Sequence, residues 1–173
     1  MADPQVSWRL EEGYTVKLFR AQDDVSEQDV LDLWTTEGEL EAEEARRRLS
    51  ELLLVVVKPD RGLVGISTAY LAHNDRLRAE LWHIRMFVAA AHRQRFIAAG
   101  MSCALVEYFT QRYLSGSEPR GIGMLYEIES EVLKRGLTQA ISPLSKFVFI
   151  GVDDGGRDVR VRYFPGALAP EPG

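Results

Sequence analysis

Two groups of residues in this sequence have types and spacings that could do chemistry. The first is the basic set His92, Arg93 and Arg95 in AAAHRQRFIAAGM (89–101), between an apolar strand and a long helix. Free N–H groups and the helix dipole attract anions to a helix start, where basic side chains are otherwise unfavourable. These residues therefore favour a phosphate-binding loop over an ordinary basic helix start, with the N–H groups of about 94–98 facing the phosphate.

The second group is the carboxylate pair Glu127 and Glu129 in LYEIE (125–129). Strand alternation puts both on one face, and a central parallel strand is usually covered on both faces, so two carboxylates there need a reason. One reason is proton removal from an attacking amine, which requires a base. The alternative is a structural ion pair with Arg85 or Arg162.

The elements that must position these residues follow from periodicity and turn signals. A helix between two strands predicts that 78–89 and 123–129 run parallel. Ser26 and Asp29 predict a capping box. The predicted strands are 14–21, 53–58, 63–72, 78–89, 123–129, 146–153 and 158–164, and the predicted helices are 26–38, 41–53, 93–114 and 130–142.

The resulting order is β-α-α-β-β-β-α-β-α-β-β, which predicts an α/β fold with a mixed seven-stranded sheet and helices on both faces. A chain of 173 residues fits one domain, 1–173, with an N-terminal arm at 1–12 and a flexible tail at 165–173. No internal repeat or linker interrupts it.

Composition narrows the function classes. The net charge of −5 gives no general attraction to nucleic acid or to an anionic membrane. The longest apolar run, LLLVVV (52–57), is too short to cross a bilayer, and no signal peptide is recognised. A single cysteine, Cys103, and three scattered histidines predict no disulfide and no metal site. We expect a cytoplasmic protein.

The element order and the 88–98 junction resemble the GCN5-related N-acetyltransferase superfamily over about residues 14–164. Val88 matches the hydrophobic residue that ends the family's central strand. Arg93 and Ala98 match the ends of its Arg/Gln-x-x-Gly-x-Gly/Ala motif, and Phe96 stands at the first glycine. The resemblance assigns acyl-CoA binding to Met86, Phe87, Val88, Arg93, Gln94, Arg95, Phe96, Ile97 and Ala98.

Phe96 has two interpretations. Its side chain can turn into the core and leave the backbone N–H available to a phosphate. Alternatively, it fills the space that the ligand needs, since only glycine allows approach without a Cβ. The sequence leaves both open.

The same resemblance places two catalytic positions. Glu127 matches a glutamate that often takes the proton of the acceptor amine in this family. KFVFIG (146–151) is similar to the family's Gly-Phe-x-x-x-Gly, with Lys146 at the first glycine. Ser142 stands where the family often has a general-acid tyrosine. Family catalytic residues on the strand 78–89 share the even positions, which leaves His83 on the other face as a structural histidine.

The resemblance implies an acyl-CoA-dependent N-acyltransferase that moves an acetyl group from acetyl-CoA to the primary amine of a small molecule or peptide by direct attack. It also implies that strands 78–89 and 123–129 splay to leave a V-shaped gap for the cofactor. The alternative is a non-catalytic protein of this fold that binds acyl-CoA or a protein partner as a sensor or scaffold. A homodimer is compatible with the sequence, which does not fix the oligomeric state.

Overall fold

The structure is a computed structural model that describes residues 7–19, 24–93 and 95–171. Hydrogen bonds join its strands in the order β1-β2-β3-β4-β5-β6-β8-β7. The strands are β1 (Ser7–Arg9), β2 (Thr15–Leu18), β3 (Leu52–Lys58), β4 (Gly62–Asn74), β5 (Ala79–Val88), β6 (Gly123–Ile128), β7 (Val148–Val152) and β8 (Asp158–Tyr163). The α-helices are α1 (Glu27–Thr36), α2 (Ala42–Arg48), α3 (Arg95–Leu114) and α4 (Glu131–Gly136).

The predicted mixed α/β fold and its element order are confirmed, with eight strands rather than seven. The additional strand, β1, lies inside the segment predicted as a loose arm. It pairs antiparallel with β2, with Trp8 opposite Val16. Backbone pairing with a neighbouring strand therefore gives this short segment a defined structure that its own pattern did not predict.

Two predicted helices are shorter than expected. The second ends at Arg48, and the apolar run that begins at Leu52 and includes three β-branched valines joins the sheet as β3 instead. The fourth ends at Gly136, and the chain after it forms a bridge between Ile141 and Val148. At the C-terminal end of each of these two helices, pairing with another strand overrides helical propensity.

The described chain forms two compact units. The first contains the described residues up to Ala69 together with Met86–Ala104, and the second contains Tyr70–Arg85 and the described residues from Leu105 onwards. The prediction of a single domain stays a prediction.

The first unit has an apolar core between its helices and strands. Val30 and Trp34 of α1 pack there with Ile66 of β4 and Phe87 of β5, all buried. The predicted capping box is present at the start of α1, where the Asp29 N–H donates to Ser26 Oγ at 3.2 Å. Hydrogen bonds from Ser26 lower the pKa of the Asp29 carboxyl. The cap fixes where α1 begins, and its apolar face then covers the sheet.

A glycine in the middle of α3 belongs to the packing of this unit. A Cβ added to Gly100 would lie 2.5 Å from Leu10 Cδ2. The segment after β1 therefore lies against the helix where a side chain is missing. The glycine serves helix packing at this position, and its place within the helix separates it from the loop before α3.

The second unit is built around β6. This strand pairs antiparallel with β8 over six residue pairs, from Gly123 with Tyr163 to Ile128 with Asp158. Its parallel pairing with β5 covers two pairs, Trp82 with Met124 and His83 with Leu125. The predicted parallel arrangement is confirmed, and the ladder does not extend along the two strands.

Apolar packing fixes β5 and β6 in this unit. Leu81 and Leu125 are buried with Val159 and Val161 of β8. On the opposite face of β5, the Trp82 ring lies 4.8 Å from the Phe109 ring of α3. Within the described ranges, no helix is long and apolar enough to cross a bilayer.

Candidate functional site

The loop between β5 and α3 begins as a 3-10 turn over Ala90–His92. The Ala90 N–H donates to Glu37 Oε2 at 3.1 Å, and the preceding Ala89 N–H donates to the Val64 carbonyl at 2.9 Å. A protein carboxylate thus already binds the first N–H of the turn. Any N–H group that is offered to a phosphate must come from farther along the loop.

The basic side chains of the loop are held by neutral groups. The Tyr14 hydroxyl and His92 Nδ1 are 2.9 Å apart, and Tyr14 is 4% exposed. Arg93 Nε donates to the Val88 carbonyl at 3.1 Å. Neither contact cancels the positive charge of Arg93. Gln94 and the side chain of Arg95 lie outside the described residues.

Phe96 packs against Tyr14. The two rings meet edge to face with their centroids 5.8 Å apart. The Lys58 ammonium makes a separate contact with Tyr14, 4.4 Å from the ring centroid. The contact between the two rings favours the interpretation in which Phe96 turns into the core. Because the Phe96 ring is directed at Tyr14, it does not cover the backbone N–H of Phe96.

The other residues assigned to acyl-CoA binding divide between two surroundings. Phe87 and Ile97 are buried, so their side chains serve the core. Met86 is partly exposed, with its Sδ 3.7 Å from Ser102 Oγ, and the Ala98 carbonyl accepts a bond from the same hydroxyl at 2.9 Å. Phe87 and Ile97 could therefore contact a ligand only through their backbone groups.

Glu127 lies at the end of β6 in the second unit. Its Oε2 is 2.8 Å from Arg157 Nη1, and its side chain is 31% exposed. Arg157 also lies 3.8 Å from Glu129 Oε1 and 2.6 Å from Asp153 Oδ2. The pKa of Arg157 is raised, first by its bond with Asp153 and then by the neighbouring carboxylates. One cation therefore serves three carboxylates at this end of the sheet.

The ion-pair alternative for Glu127 named the wrong arginines. Arg85 lies over the Tyr70 ring at 4.3 Å, and Arg162 Nη1 donates to the Ser145 carbonyl at 2.6 Å. Arg157 takes this role because the β6–β8 register places Glu127 opposite Val159, two residues beyond the turn. Such a register is not readable from composition or alternation.

Ser142 is sealed inside a polar cluster. It is 4% exposed, and its Oγ accepts a bond from Arg160 Nη1 at 3.4 Å. Arg160 is 2% exposed and also donates to the carbonyls of Leu137 at 2.5 Å and Gln139 at 3.1 Å. A buried arginine thus ties the segment after α4 to β8.

Tyr126 completes this cluster, and the sequence analysis did not identify it. Burial raises the pKa of its phenol, while a hydrogen bond with Ser142 and the charge of Arg160 act in the opposite direction. Tyr126 faces Arg160 directly in the β6–β8 ladder. The available signal was an arginine at a buried position of a strand, which requires polar partners.

His83 is placed as a packed ring. It stacks on Tyr70 with centroids 5.0 Å apart. Burial, and then the charge of Arg85, lower its pKa. These contacts agree with the structural role expected from the sequence. In the part of the chain that the structure describes, no three His, Cys, Asp or Glu side chains form a metal-binding group.

Comparisons with known proteins agree on one fold. No family model and no characterised protein matches the chain by sequence. A ribosomal-protein-S5-alanine acetyltransferase from Vibrio fischeri superposes with a TM-score of 0.60 at 14% identity, covering 94% of this chain and 99% of that one. AtaTR bound with acetyl-CoA gives 0.57 at 12% identity, covering 88% of this chain and 94% of that one.

A third structure is the aminoglycoside acetyltransferase AAC(6')-Ib in complex with coenzyme A and kanamycin. It gives a TM-score of 0.55 at 13% identity, covering 87% of this chain and 94% of that one. Likeness at this level of identity establishes the fold. The chain has the fold of the GCN5-related N-acetyltransferases, as its sequence predicted.

Proposed function

We propose that this protein is an acyl-CoA-dependent N-acyltransferase that transfers an acetyl group to a primary amine. The observation that carries the proposal is the short ladder between β5 and β6. It stops at His83 and Leu125, so the backbone of β6 beyond Leu125 is not paired with β5. Unpaired strand backbone needs other hydrogen-bond partners, and the amides of a pantetheine arm are suitable ones.

The fold supports this choice of substrate. Two of the solved structures with the same fold contain acetyl-CoA or coenzyme A. Within the first unit, the loop before α3 has a helix N-terminus and the charge of Arg93, and both attract phosphate groups. Phe96 is compatible with this role because its ring packs on Tyr14.

The proposed reaction is a direct displacement. The neutral amine nitrogen attacks the thioester carbonyl, a C–N bond forms, the C–S bond breaks, and coenzyme A leaves as its thiolate. The thiolate then takes the remaining extra proton from the amide nitrogen, so the products are a neutral amide and coenzyme A thiol. The ammonium form of the acceptor must first lose a proton, which Glu127 accepts. The partial exposure of this carboxylate lets a substrate or a water reach it.

When Glu127 accepts a proton, it gives up its ion pair with Arg157. Protonation of Glu127 removes its attraction to Arg157, which retains Asp153 at 2.6 Å as a partner. The cation is therefore never left alone when Glu127 is neutral.

The experiment is thiol release from acetyl-CoA in the presence of separate amine pools: polyamines, aminoglycosides and peptides with free N-termini. We expect amine-dependent thiol release with at least one pool and an acetylated product of matching mass. Longer acyl-CoAs, tested in parallel, define the acyl chain. Acetyl-CoA that binds but releases no thiol with any pool would contradict the proposal.

A second candidate is a non-catalytic acyl-CoA sensor or scaffold. The state of Ser142 favours it, because this buried hydroxyl is engaged by Arg160 and offers no phenol to protonate a leaving thiolate. A thermal-shift experiment separates the two candidates. Stabilisation by acetyl-CoA without turnover in any amine pool supports the sensor.

A further inference from the structure

A groove of about 340 Å³ lies on the β7–β8 hairpin of the second unit. It is at the start of β7 and the end of β8, away from the turn that carries Arg157. The residues that line it are Lys146, Val148, Ile150, Val161, Arg162 and Tyr163. None of them has a part in the proposed acyl transfer.

The body of the groove is apolar and open to solvent. Val148 is 41% exposed and Tyr163 is 49% exposed, although both are large hydrophobic side chains. Val161 and Ile150 beneath them belong to the apolar cluster around Leu125. A ligand that covers this surface would remove apolar area from water, which favours binding.

The charged residues of the groove are both basic. Lys146 is exposed, and Arg162 Nη1 donates to the Ser145 carbonyl at 2.6 Å. Arg162 Nε is buried and has no hydrogen-bond partner among the described residues. No acidic residue is among the described residues that line the groove, in a chain whose net charge is −5. The local charge therefore complements an anion.

Lys146 also has an unfavourable backbone conformation. Its φ is 58°, in the left-handed region that residues with a Cβ disfavour. Glycine would adopt this conformation without a steric penalty. Here the lysine puts an ammonium beside the groove.

We propose that this groove binds a small apolar carboxylate, a compound with a hydrocarbon or aromatic body and one carboxylate group. The carboxylate pairs with Lys146 and Arg162, and the body lies on the apolar side chains. The volume is near the lower end for small-molecule pockets, which suits a compound about the size of octanoate.

The probe is octanoate, with octanol and octylamine as controls of equal chain length. Methyl resonances of Val148, Ile150 and Val161, followed by NMR, report binding at the groove, and calorimetry gives the affinity. We expect saturable shifts at these methyls with octanoate and none with octylamine. Affinity should rise about two- to fourfold per added methylene from butanoate to octanoate.

The test variant is Lys146→Gly, which removes the ammonium and suits the backbone. We expect octanoate to bind about fivefold more weakly, as for loss of an exposed ion pair. The matched control is Arg78→Gly, because Arg78 is also basic, lies in the same unit with a φ of 53°, and does not line the groove. This control should bind octanoate like the wild type.

Three results would overturn the proposal. The first is equal affinity for octanol and octanoate, which would remove the role of the charge. The second is an equal loss of affinity in Lys146→Gly and Arg78→Gly. The third is methyl shifts that depend on protein concentration without ligand, which would make the groove a contact between copies of the chain.

Discussion

The loop before α3 and the end of β6 hold their charged groups in different ways. In the loop, the Arg93 guanidinium is bonded to a carbonyl, which is neutral. At the end of β6, the Glu127 carboxylate is bonded to the Arg157 cation. A neutral partner orients a charge and leaves it available to a ligand, whereas a cation partner compensates it. The loop therefore keeps the charge of Arg93 uncompensated by its bonded partner, whereas the end of β6 holds its carboxylate in an ion pair.

The largest expected effect tests the second region. Glu127→Gln keeps the shape of the side chain and removes its basicity, so we expect turnover to fall about 10²–10⁴-fold. Affinity for coenzyme A, measured by calorimetry, should change little. Glu129→Gln is the matched control, since its carboxylate is 3.8 Å from the same arginine and more exposed. Equal turnover in the wild type and Glu127→Gln would make Glu127 structural.

The next effect concerns the buried cation that closes the Ser142 cluster. Arg160→Met removes the donors to the Leu137 and Gln139 carbonyls, and each unsatisfied buried group costs about 1–3 kcal/mol. We expect the free energy of unfolding, measured in urea, to fall by about 3 kcal/mol. Arg162→Met, which removes a bond to one carbonyl, should cost less. A larger loss in Arg162→Met would contradict the assignment of Arg160 as the residue that holds this segment.

A smaller effect tests the first region. Phe96→Ala removes the edge-to-face contact with Tyr14, and we expect a loss of about 2 kcal/mol in stability, less than for a fully buried ring. We expect affinity for coenzyme A to stay the same, because the ring packs on Tyr14 and the proposed phosphate contact uses backbone N–H groups. Calorimetry and urea unfolding on the same variant measure both quantities. Tighter binding of coenzyme A would show that the ring obstructs the ligand.

The smallest effect is a pH dependence from His83. Its pKa is lowered in the folded protein, so the unfolded chain takes up a proton first as the pH falls. Stability should be complete above the unfolded pKa of about 6.5 and decrease as the pH falls through the lower, folded value. His83→Gln, which leaves the neighbouring Tyr70 and Arg85 in place, should show a shallower decrease in urea midpoint below pH 6.5. Identical profiles would show that His83 does not titrate in this range.

The element order was predictable because apolar periodicity and turn residues are local signals. The capping box of Ser26 and Asp29 is one that the structure reproduces. Local signals failed where pairing with a distant strand decides the conformation. β1 has three residues and depends on β2, and the Leu52 region leaves its predicted helix to pair between β2 and β4.

The site was less predictable than the fold. Strand alternation predicted Glu127 and Glu129 on one face, and both lie near Arg157, but the identity of this arginine depends on the β8 register. The resemblance did carry one conformational signal that the residues alone did not. Lys146 stands at a family glycine, and its φ of 58° is a conformation that glycine favours. The roles of Glu127 and Ser142 in acyl transfer, the cytoplasmic location and the oligomeric state stay predictions.

The contact between Leu10 and Gly100 makes two distant parts of the sequence dependent on each other. A glycine inside a helix costs about 1 kcal/mol relative to alanine, so an isolated helix would gain from Gly100→Ala. In the folded chain the new methyl would lie 2.5 Å from Leu10 Cδ2, and the leucine would have to move. The same substitution therefore gains more in a chain that lacks residues 1–10 than in the full chain. Leu10 thus limits the size of the residue that the helix can accept at position 100. A larger residue at position 100 is expected to require a smaller one at position 10.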